Sequence, residues 1–355
     1  MKSKKKSSVF VAMSGGVDSS VAALLLHRQG FEVTGVYMKN WSDPLTDECP
    51  WKEDIKDFLT VCRQIGIKHK IEVFEEEYRQ KVVNYLISGY ENGITPNPDM
   101  LCNREIKFKL FQEKAKKLGA DYIATGHYVI KKEKNGKYEL WQSLDSQKDQ
   151  SYFLSLLNQN QLKYSLFPVG RYRKYDIRRI AKKAKLPVHN KKDSQGICFI
   201  GKVKFNDFLK KFVKSTPGIV KNTKGQIIGK HQGLAFFTIG QRHGLGIGGG
   251  RPYYVVKKIK SSNTLVVTES QTDRNLFSRL LKTSRFSWIA GSSPKLPLKC
   301  RARIRYRQPL QTCAVINSKR QYTITFDKPQ RAVTRGQFVV LYKGRQLLGG
   351  GEISN

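Results

Sequence analysis

Between Ser8 and about Gly126 the chain alternates short apolar runs with stretches in which apolar residues recur every three or four positions. The runs "SVFVAM", "EVTGVYM", "KIEVF" and "DYIATGHY" predict strands. The apolar stretch from Val21 to Leu26 predicts a helix after the first of them. Ile55, Phe58, Leu59, Cys62 and Ile65 lie at helical spacing, as do Phe108, Phe111, Ala115 and Leu118, so both segments predict amphipathic helices. Strand and helix in alternation imply an α/β unit, a parallel sheet with helices on its faces. From about Lys202 the helical period fades after "FNDFLKKF", and the glycine-dense "GIVKNTKGQIIGKHQGLAFFTIGQRHGLGIGGG" predicts a small β-rich unit. After about Ser278, "KCRARIRYRQ", "CAVIN", "QYTITF" and "QFVVLY" alternate apolar and polar positions between polar turns, which predicts an antiparallel barrel. The expected boundaries are 1–201, 202–277 and 278–355, with no internal repeat.

Length is compatible with this division, since 355 residues can bury a substantial core in two or three domains. Charge adds a partner. The formal net charge is +37, an excess that self-repels in a compact chain and favours a polyanion such as nucleic acid, although biased composition alone would produce the same number. The six cysteines include no CxxC pair and no Cys/His cluster at zinc spacing, so neither a disulfide scaffold nor a metal site is expected, and a reduced cytoplasm fits best. "MKSKKKSS" is basic, but the apolar run after it is too short for a signal-peptide core, and no apolar stretch reaches the ~18 residues of a membrane span. A soluble protein without membrane contact is expected.

Candidate chemistry begins at "MSGGVDSS", where the first strand turns into the first helix. Gly15 and Gly16 permit a tight turn and bare N–H groups, and the helix N-terminus adds donors and a positive dipole, so a phosphate is the natural guest. The competing reading is a plain turn with Asp18 or Ser19 as helix cap. GxxxxGK[ST] and GxGxxG are both absent, which removes Walker-type and dinucleotide-binding loops. Two further stretches carry thiols. "TPNPDMLCNREIKFK" places Asp99 three residues before Cys102, with Arg104 and Lys107 nearby, a setting expected to favour thiolate; "DSQGICFIG" carries Cys198. Cys49, Cys62, Cys300 and Cys313 are expected to be buried apolar residues.

The string SGGxDS after a strand resembles the PP-loop ATP pyrophosphatases, which cleave ATP between its α and β phosphates. Taken together, "AMSGGVDSSVAA", "NPDMLCNREIKF", "ATGHY", "KDQSYFL", "SQGICFIG", "GLAFFTIGQRHGLGIGG", "RYRQ" and "GQFVV" resemble the tRNA-specific 2-thiouridylases essentially end to end. The resemblance implies a Rossmann-like PP-loop catalytic domain, a small β-rich central domain and a C-terminal β-barrel. It implies ATP, with Mg2+, held by Ala12, Met13, Ser14, Gly15, Gly16, Val17, Asp18 and Ser19, with Met38 and Gly126. It places Asn97, Pro98 and Asp99 at the target base, and His127, Lys148, Asp149, Gln150, Arg305, Tyr306 and Gln337 on tRNA. Cys102 matches the nucleophile and Cys198 the persulfide carrier. The implied target is uridine 34 of the Lys, Glu and Gln tRNAs, with a persulfide donor such as a cysteine desulfurase or a sulfur-relay protein as partner. Ala12 stands where glycine is common, His243 replaces a usual basic residue, Arg335 replaces a proline, and Leu348 stands where many relatives carry cysteine.

The chemistry explains the set. A uracil carbonyl oxygen is a poor leaving group, its adenylate departs as AMP, and a persulfide delivers sulfur as a nucleophile, with Asp99 placed for proton transfer. Asp99 as a turn residue after Pro98, and Lys148 to Gln150 as a solvated loop, are the competing structural readings. At the level of function the alternatives are a small-molecule PP-loop synthetase and an RNA-binding protein without turnover; neither needs both cysteine motifs.

Overall fold

The computed structural model describes residues 6–42, 51–193, 205–248, 250, 252–318 and 321–354. The segment up to Leu166 supplies seven strands: β1 (Ser8–Ala12), β2 (Glu32–Lys39), β3 (Lys68–Val73), β4 (Tyr122–Thr125), β5 (Val129–Lys134), β6 (Lys137–Gln142) and β7 (Ser165–Leu166). Five of them form a parallel sheet in the order β3-β2-β1-β4-β7. β1 is central, and Val9 to Ala12 are all buried, which is why it reads as an unbroken apolar run and not as alternation. The Val17–Arg28 helix returns the chain from β1 to β2, and the Trp51–Ile65 helix leads from β2 to β3. The latter buries Phe58, Val61 and Cys62. Because β1 lies between β2 and β4, the strand order reverses at β1, and the crevice at the carboxyl ends of β1 and β4 is the place where open α/β sheets hold ligands.

The middle segment folds as β8 (Gly218–Asn222), β9 (Ile227–His231), β10 (Tyr254–Ile259) and β11 (Thr264–Thr268), a four-stranded sheet in the order β10-β11-β8-β9. The last segment contributes β12 (Phe277–Trp288), β13 (Leu298–Arg303), β14 (Gln311–Ser318), β15 (Gln321–Arg331), β16 (Phe338–Lys343) and β17 (Gln346–Ile353). These pair in the order β12-β15-β14-β13-β16-β17, and β12 also pairs with β17, closing a six-stranded antiparallel barrel. Leu281, Ala302, Cys313, Val315, Ile324, Phe326, Val339 and Leu341 fill its interior. The β5–β6 hairpin is not part of the parallel sheet: β6 pairs with β17 at Trp141 and Leu140, so the first segment and the barrel share one hydrogen-bonded sheet.

Candidate functional site

The glycine turn sits in the crevice that the strand order predicts. Gly15 has φ +70°, and a Cβ there would lie 2.5 Å from the Asp54 carbonyl oxygen, so the position needs glycine both for conformation and for close approach. Gly16 is the N-cap of the Val17–Arg28 helix and no side chain caps it. The reading of Asp18 or Ser19 as the cap is therefore corrected. Ser19 Oγ instead donates to the Gly16 carbonyl at 3.2 Å and accepts from the Ser14 amide at 3.2 Å, bracing the loop from within. The first-turn amides thus remain available to an anion. Met13 anchors the loop to β2 through its amide on the Val36 carbonyl, 2.8 Å. Ala12 is buried in the same apolar cluster as Cys102, and the half-buried Met38 at the end of β2 packs against that cluster. Gly126 follows β4 and closes the other side, where a Cβ would lie 2.7 Å from the Ser19 amide nitrogen.

Asp18 lies in a network that sequence reasoning missed. Its carboxylate accepts from Tyr128 Oη at 2.7 Å and from Lys174 Nζ at 2.7 and 2.8 Å. Lys174 Nζ also lies 2.7 Å from Asp193, which pairs in addition with Lys148 and, at 3.0 Å, with Arg178. Burial alone raises the Asp193 carboxyl, but hydrogen bonds from Lys148 and Lys174 overcome it and hold the group at about 2. A lysine that answers an aspartate 156 positions away has no local mark in the sequence. Only fold topology brings the two together.

Asn97 caps the second part of the site, its Oδ1 accepting from the Met100 amide at 3.4 Å, with Pro98 at the first helical position. Asp99 is half-buried in that first turn. The helix 98–117 is not uniform: it widens to π-type hydrogen bonding over Cys102–Leu110 before returning to α geometry at Phe111. Such widenings are rare and often mark functional positions. Cys102 is 2% exposed, and here the expectation of a favoured thiolate is overturned. Burial pushes the thiol up; Lys107 and a hydrogen bond from Tyr78 oppose this and Asp99 adds to it, with burial the largest influence. Lys107 also reaches His127, which burial and that lysine together hold well below its usual value, hence neutral at pH 7. His127 Nδ1 lies 2.8 Å from Thr125 Oγ1 at the end of β4.

Lys148 to Gln150 are not a solvated loop. Asp149 is 2% exposed and accepts from Gln142, the Ser143 and Ser151 amides and the Ser151 hydroxyl, with Arg303 of the barrel at 3.8 Å. Gln150 binds the Tyr128 backbone in both directions. Arg305 donates to the carbonyls of Ile239 and Ala332, each at 3.1 Å, and Tyr306 packs against Phe153 with ring centroids 4.5 Å apart and planes inclined by 48°. The exposed Arg307, in a left-handed conformation at φ +64°, lies 5.2 Å above the Tyr306 ring; it stands within "RYRQ" but is not among the residues expected on tRNA. Gln337 reaches the loop before Asn97, donating to the Thr95 and Pro96 carbonyls at 2.9 and 3.3 Å. Cys198 and Cys49 lie outside the described residues. Cys62 is buried, its thiol pushed up to about 12 by burial, and Cys300 and Cys313 face each other inside the barrel wall with Sγ atoms 3.7 Å apart. Among the described residues no group of three or more His, Cys, Asp and Glu is arranged to hold a metal. No described helix is long and apolar enough to cross a membrane.

Three family models cover the chain: tRNA methyl transferase HUP domain over residues 7–202, tRNA methyl transferase PRC-barrel domain over 206–269 and aminomethyltransferase beta-barrel domain over 278–353. The chain is 47% identical to the tRNA-specific 2-thiouridylase MnmA of Geobacillus thermodenitrificans, covering 99% of this chain and 96% of that protein. It is 46% identical to the protein of the same name from Hydrogenovibrio crunogenus, over 98% and 93% of the two chains. With that of Pseudomonas aeruginosa the identity is 48%, over 98% and 95%. An uncapped glycine loop at the strand-order reversal, a buried cysteine one helical turn from an aspartate, and likeness along the whole length converge: the chain belongs to the tRNA-specific 2-thiouridylase family and is a tRNA sulfurtransferase.

Proposed function

We propose that this protein replaces the 2-oxygen of uridine 34 in tRNA by sulfur in two stages, activation by ATP and attack by a persulfide. In the first, the uracil 2-oxygen attacks the α-phosphorus of ATP and pyrophosphate leaves. Residues Ala12 to Ser19 cradle the phosphates, the uncapped first turn of the Val17–Arg28 helix supplies amide donors, and Met38 and Gly126 border the nucleotide. A Mg2+ ion arriving with the nucleotide would neutralise phosphate charge, and Asp18, once released by Lys174, is the loop carboxylate that would hold it, in keeping with that ion's preference for one or two protein carboxylates plus phosphates. Lys174, already on Asp18, is placed to follow the negative charge of the departing pyrophosphate.

In the second stage the terminal sulfur of a persulfide on Cys198 attacks carbon 2 and AMP leaves. Cys102 then attacks the inner sulfur, the S–S bond breaks towards the base, thiouridine is released and a Cys102–Cys198 disulfide remains for reduction. Asp99, in the turn that leads to Cys102, takes the Cys102 proton as the thiol attacks and returns it to N3 of the departing thiouridine. The raised thiol of Cys102 suits this order, since it stays protonated and inert until the reacting groups are assembled. Asn97, Pro98, His127, Lys148, Gln150, Arg305, Tyr306 and Gln337 form the tRNA side, with Asp149 holding its loop from beneath. The target base must leave its stack to enter such a pocket. The division 1–201, 202–277 and 278–355 then corresponds to catalysis, linkage and tRNA docking. A cysteine desulfurase or relay protein in the cytoplasm is the expected source of sulfur, and the Lys, Glu and Gln tRNAs are the expected acceptors.

The observation that carries this reading is the glycine loop with its uncapped helix and Gly126 packed against Ser19. The test is conversion of ATP to AMP and pyrophosphate with and without unmodified tRNA. Formation only with tRNA is expected; equal turnover without tRNA would instead favour a small-molecule PP-loop pyrophosphatase.

A further inference from the structure

The Asn97–Cys102 turn is not held by its own segment alone. Immediately before it, Thr95 donates its amide to the Arg335 carbonyl at 3.0 Å, and the Thr95 and Pro96 carbonyls accept from Gln337 Nε2 at 2.9 and 3.3 Å. Gln337 is 242 residues from Thr95 and sits where the barrel chain enters β16. Its own backbone is fixed by the last strand: the Ile353 amide donates to the Gln337 carbonyl at 2.8 Å, and the Gly336 amide donates to the Ile353 carbonyl at 3.0 Å. Gly336 has φ +86°, and a Cβ there would lie 2.2 Å from Ile94 Cγ2 and 2.9 Å from the Thr95 carbonyl oxygen. Backbone therefore meets backbone at a spot that only glycine fits. From the other side Thr95 Oγ1 lies 3.3 Å from Thr238 Oγ1 of the middle segment, and Pro96 is packed so closely on Gly89 that a Cβ at 89 would lie 2.1 Å from it. The two residues that lead into Asn97 are thus pinned by all three segments of the chain.

We propose that Gln337, with Gly336 beside it, is a positioning residue for thiolation: the barrel, docked on Thr95 and Pro96, sets where Asp99 and Cys102 stand. The assignment rests on the reading that these two residues carry the chemistry. Physically, the two amide hydrogens of one side chain converge on two consecutive carbonyls, which fixes both the position and the tilt of the peptide that feeds the helix cap. Asn97 then converts that fixed peptide into a fixed helix start, and Asp99 and Cys102 follow within one turn. A displacement of about 1 Å at reacting groups can lower a rate ~100-fold without loss of binding. Gln337 consequently acts on the chemical step and not only on tRNA affinity.

The experiment compares the wild type with Gln337→Met, which keeps volume and removes both donors, with Gln337→Glu, which sets a carboxylate against the two carbonyls, and with Gly336→Ala, which pushes on the same loop and leaves Gln337 intact. Single-turnover formation of 2-thiouridine at saturating ATP and tRNA gives the rate, and filter binding gives the tRNA Kd. The expected result, read at saturating tRNA, is a rate lowered about 10- to 100-fold in Gln337→Met, lowered further in Gln337→Glu, and lowered in Gly336→Ala, with the tRNA Kd of the Gln337 variants weakened by a smaller factor than the rate. A weakened Kd with an unchanged rate in Gln337→Met would make the residue a tRNA contact only and overturn the proposal. Should Gly336→Ala fail to fold, the two Gln337 variants decide alone. Asp99→Asn and Cys102→Ser are assayed alongside. If either retains full thiolation, the reading of the site falls and this inference with it; if both are inactive while Gln337→Met matches wild type, only the inference falls.

Discussion

At the scale of single residues, the features that matter are those in which burial opposes charge. Arg104 and Lys107 near Cys102 suggest a reactive thiolate in the sequence, yet with the side chain 2% exposed, desolvation outweighs the lysine. A thiol whose folded pKa lies above its unfolded value of about 8.5 contributes stability that is fully present below that pH and is lost as the pH rises through the folded value. The sign makes a prediction. Above about pH 8.5, the wild-type melting temperature should fall more steeply than that of Cys102→Ser, the difference between the two curves isolating this thiol from tyrosines and lysines that titrate in both. Parallel curves over that range would mean that Cys102 is not desolvated in the folded protein. The same comparison of opposing influences runs the other way at Asp193, where hydrogen bonds from Lys148 and Lys174 exceed the desolvation.

At the scale of elements, the nucleotide crevice depends on how closely the Val17–Arg28 helix can approach the end of β4. Gly126 is the contact: a Cβ would lie 2.7 Å from Ser19 N, 2.9 Å from Asp18 C and 3.0 Å from Ser19 Cα, all backbone atoms that cannot swing aside. Gly126→Ala must therefore separate strand from helix start, at an overpacking cost of about 1–3 kcal/mol. If that cost falls wholly on the nucleotide site, the KM for ATP should rise by roughly 5- to 150-fold, its affinity equivalent, while tRNA affinity stays near wild type. An unchanged KM for ATP would place the nucleotide elsewhere. Much of this was legible in the sequence, because the apolar run of β1, the two glycines and the following helix are local, and strand–helix alternation fixes a parallel sheet. Three features were not. The β5–β6 hairpin has the period of a strand pair, but no periodicity tells which sheet it joins, and its partner β17 lies some 200 residues later. The π-type widening at Cys102–Leu110 breaks no pattern of apolar spacing. Lys174 is one basic residue among 65, and only the packing of its helix beside the Val17–Arg28 helix sets it on Asp18.

At the scale of the molecule, the surplus of basic residues must be reconciled with compactness. A net charge of +37 repels itself, and the ion pairs around Asp193, Asp54 and Asp57 engage a small part of it, Lys191 alone bridging Asp54 at 2.7 Å and Asp57 at 2.5 Å. The remainder is compatible with folding if a polyanion is the working partner, since phosphates bound along the surface relieve the repulsion and release condensed counterions. This separates affinity from chemistry. Phosphate contacts hold tRNA without reading sequence, whereas the turn 97–102 and the glycine loop act on one base and one nucleotide. The log of the tRNA binding constant should therefore fall linearly with the log of salt concentration, with a slope of several units, because each neutralised phosphate contributes about 0.7 to 0.9. The measurement is filter binding of unmodified tRNA from about 50 to 300 mM potassium chloride, in a range that leaves the fold intact. The rate of thiolation at saturating tRNA should move far less over the same range, since Lys174 on Asp18 and the Gln337 clamp are half-buried or buried contacts and are screened much less than surface charge. A flat binding slope would reduce the +37 to an accident of composition; a rate that fell in step with binding would mean that the catalytic geometry itself depends on exposed charge, contrary to the half-buried contacts around Asp18 and Thr95.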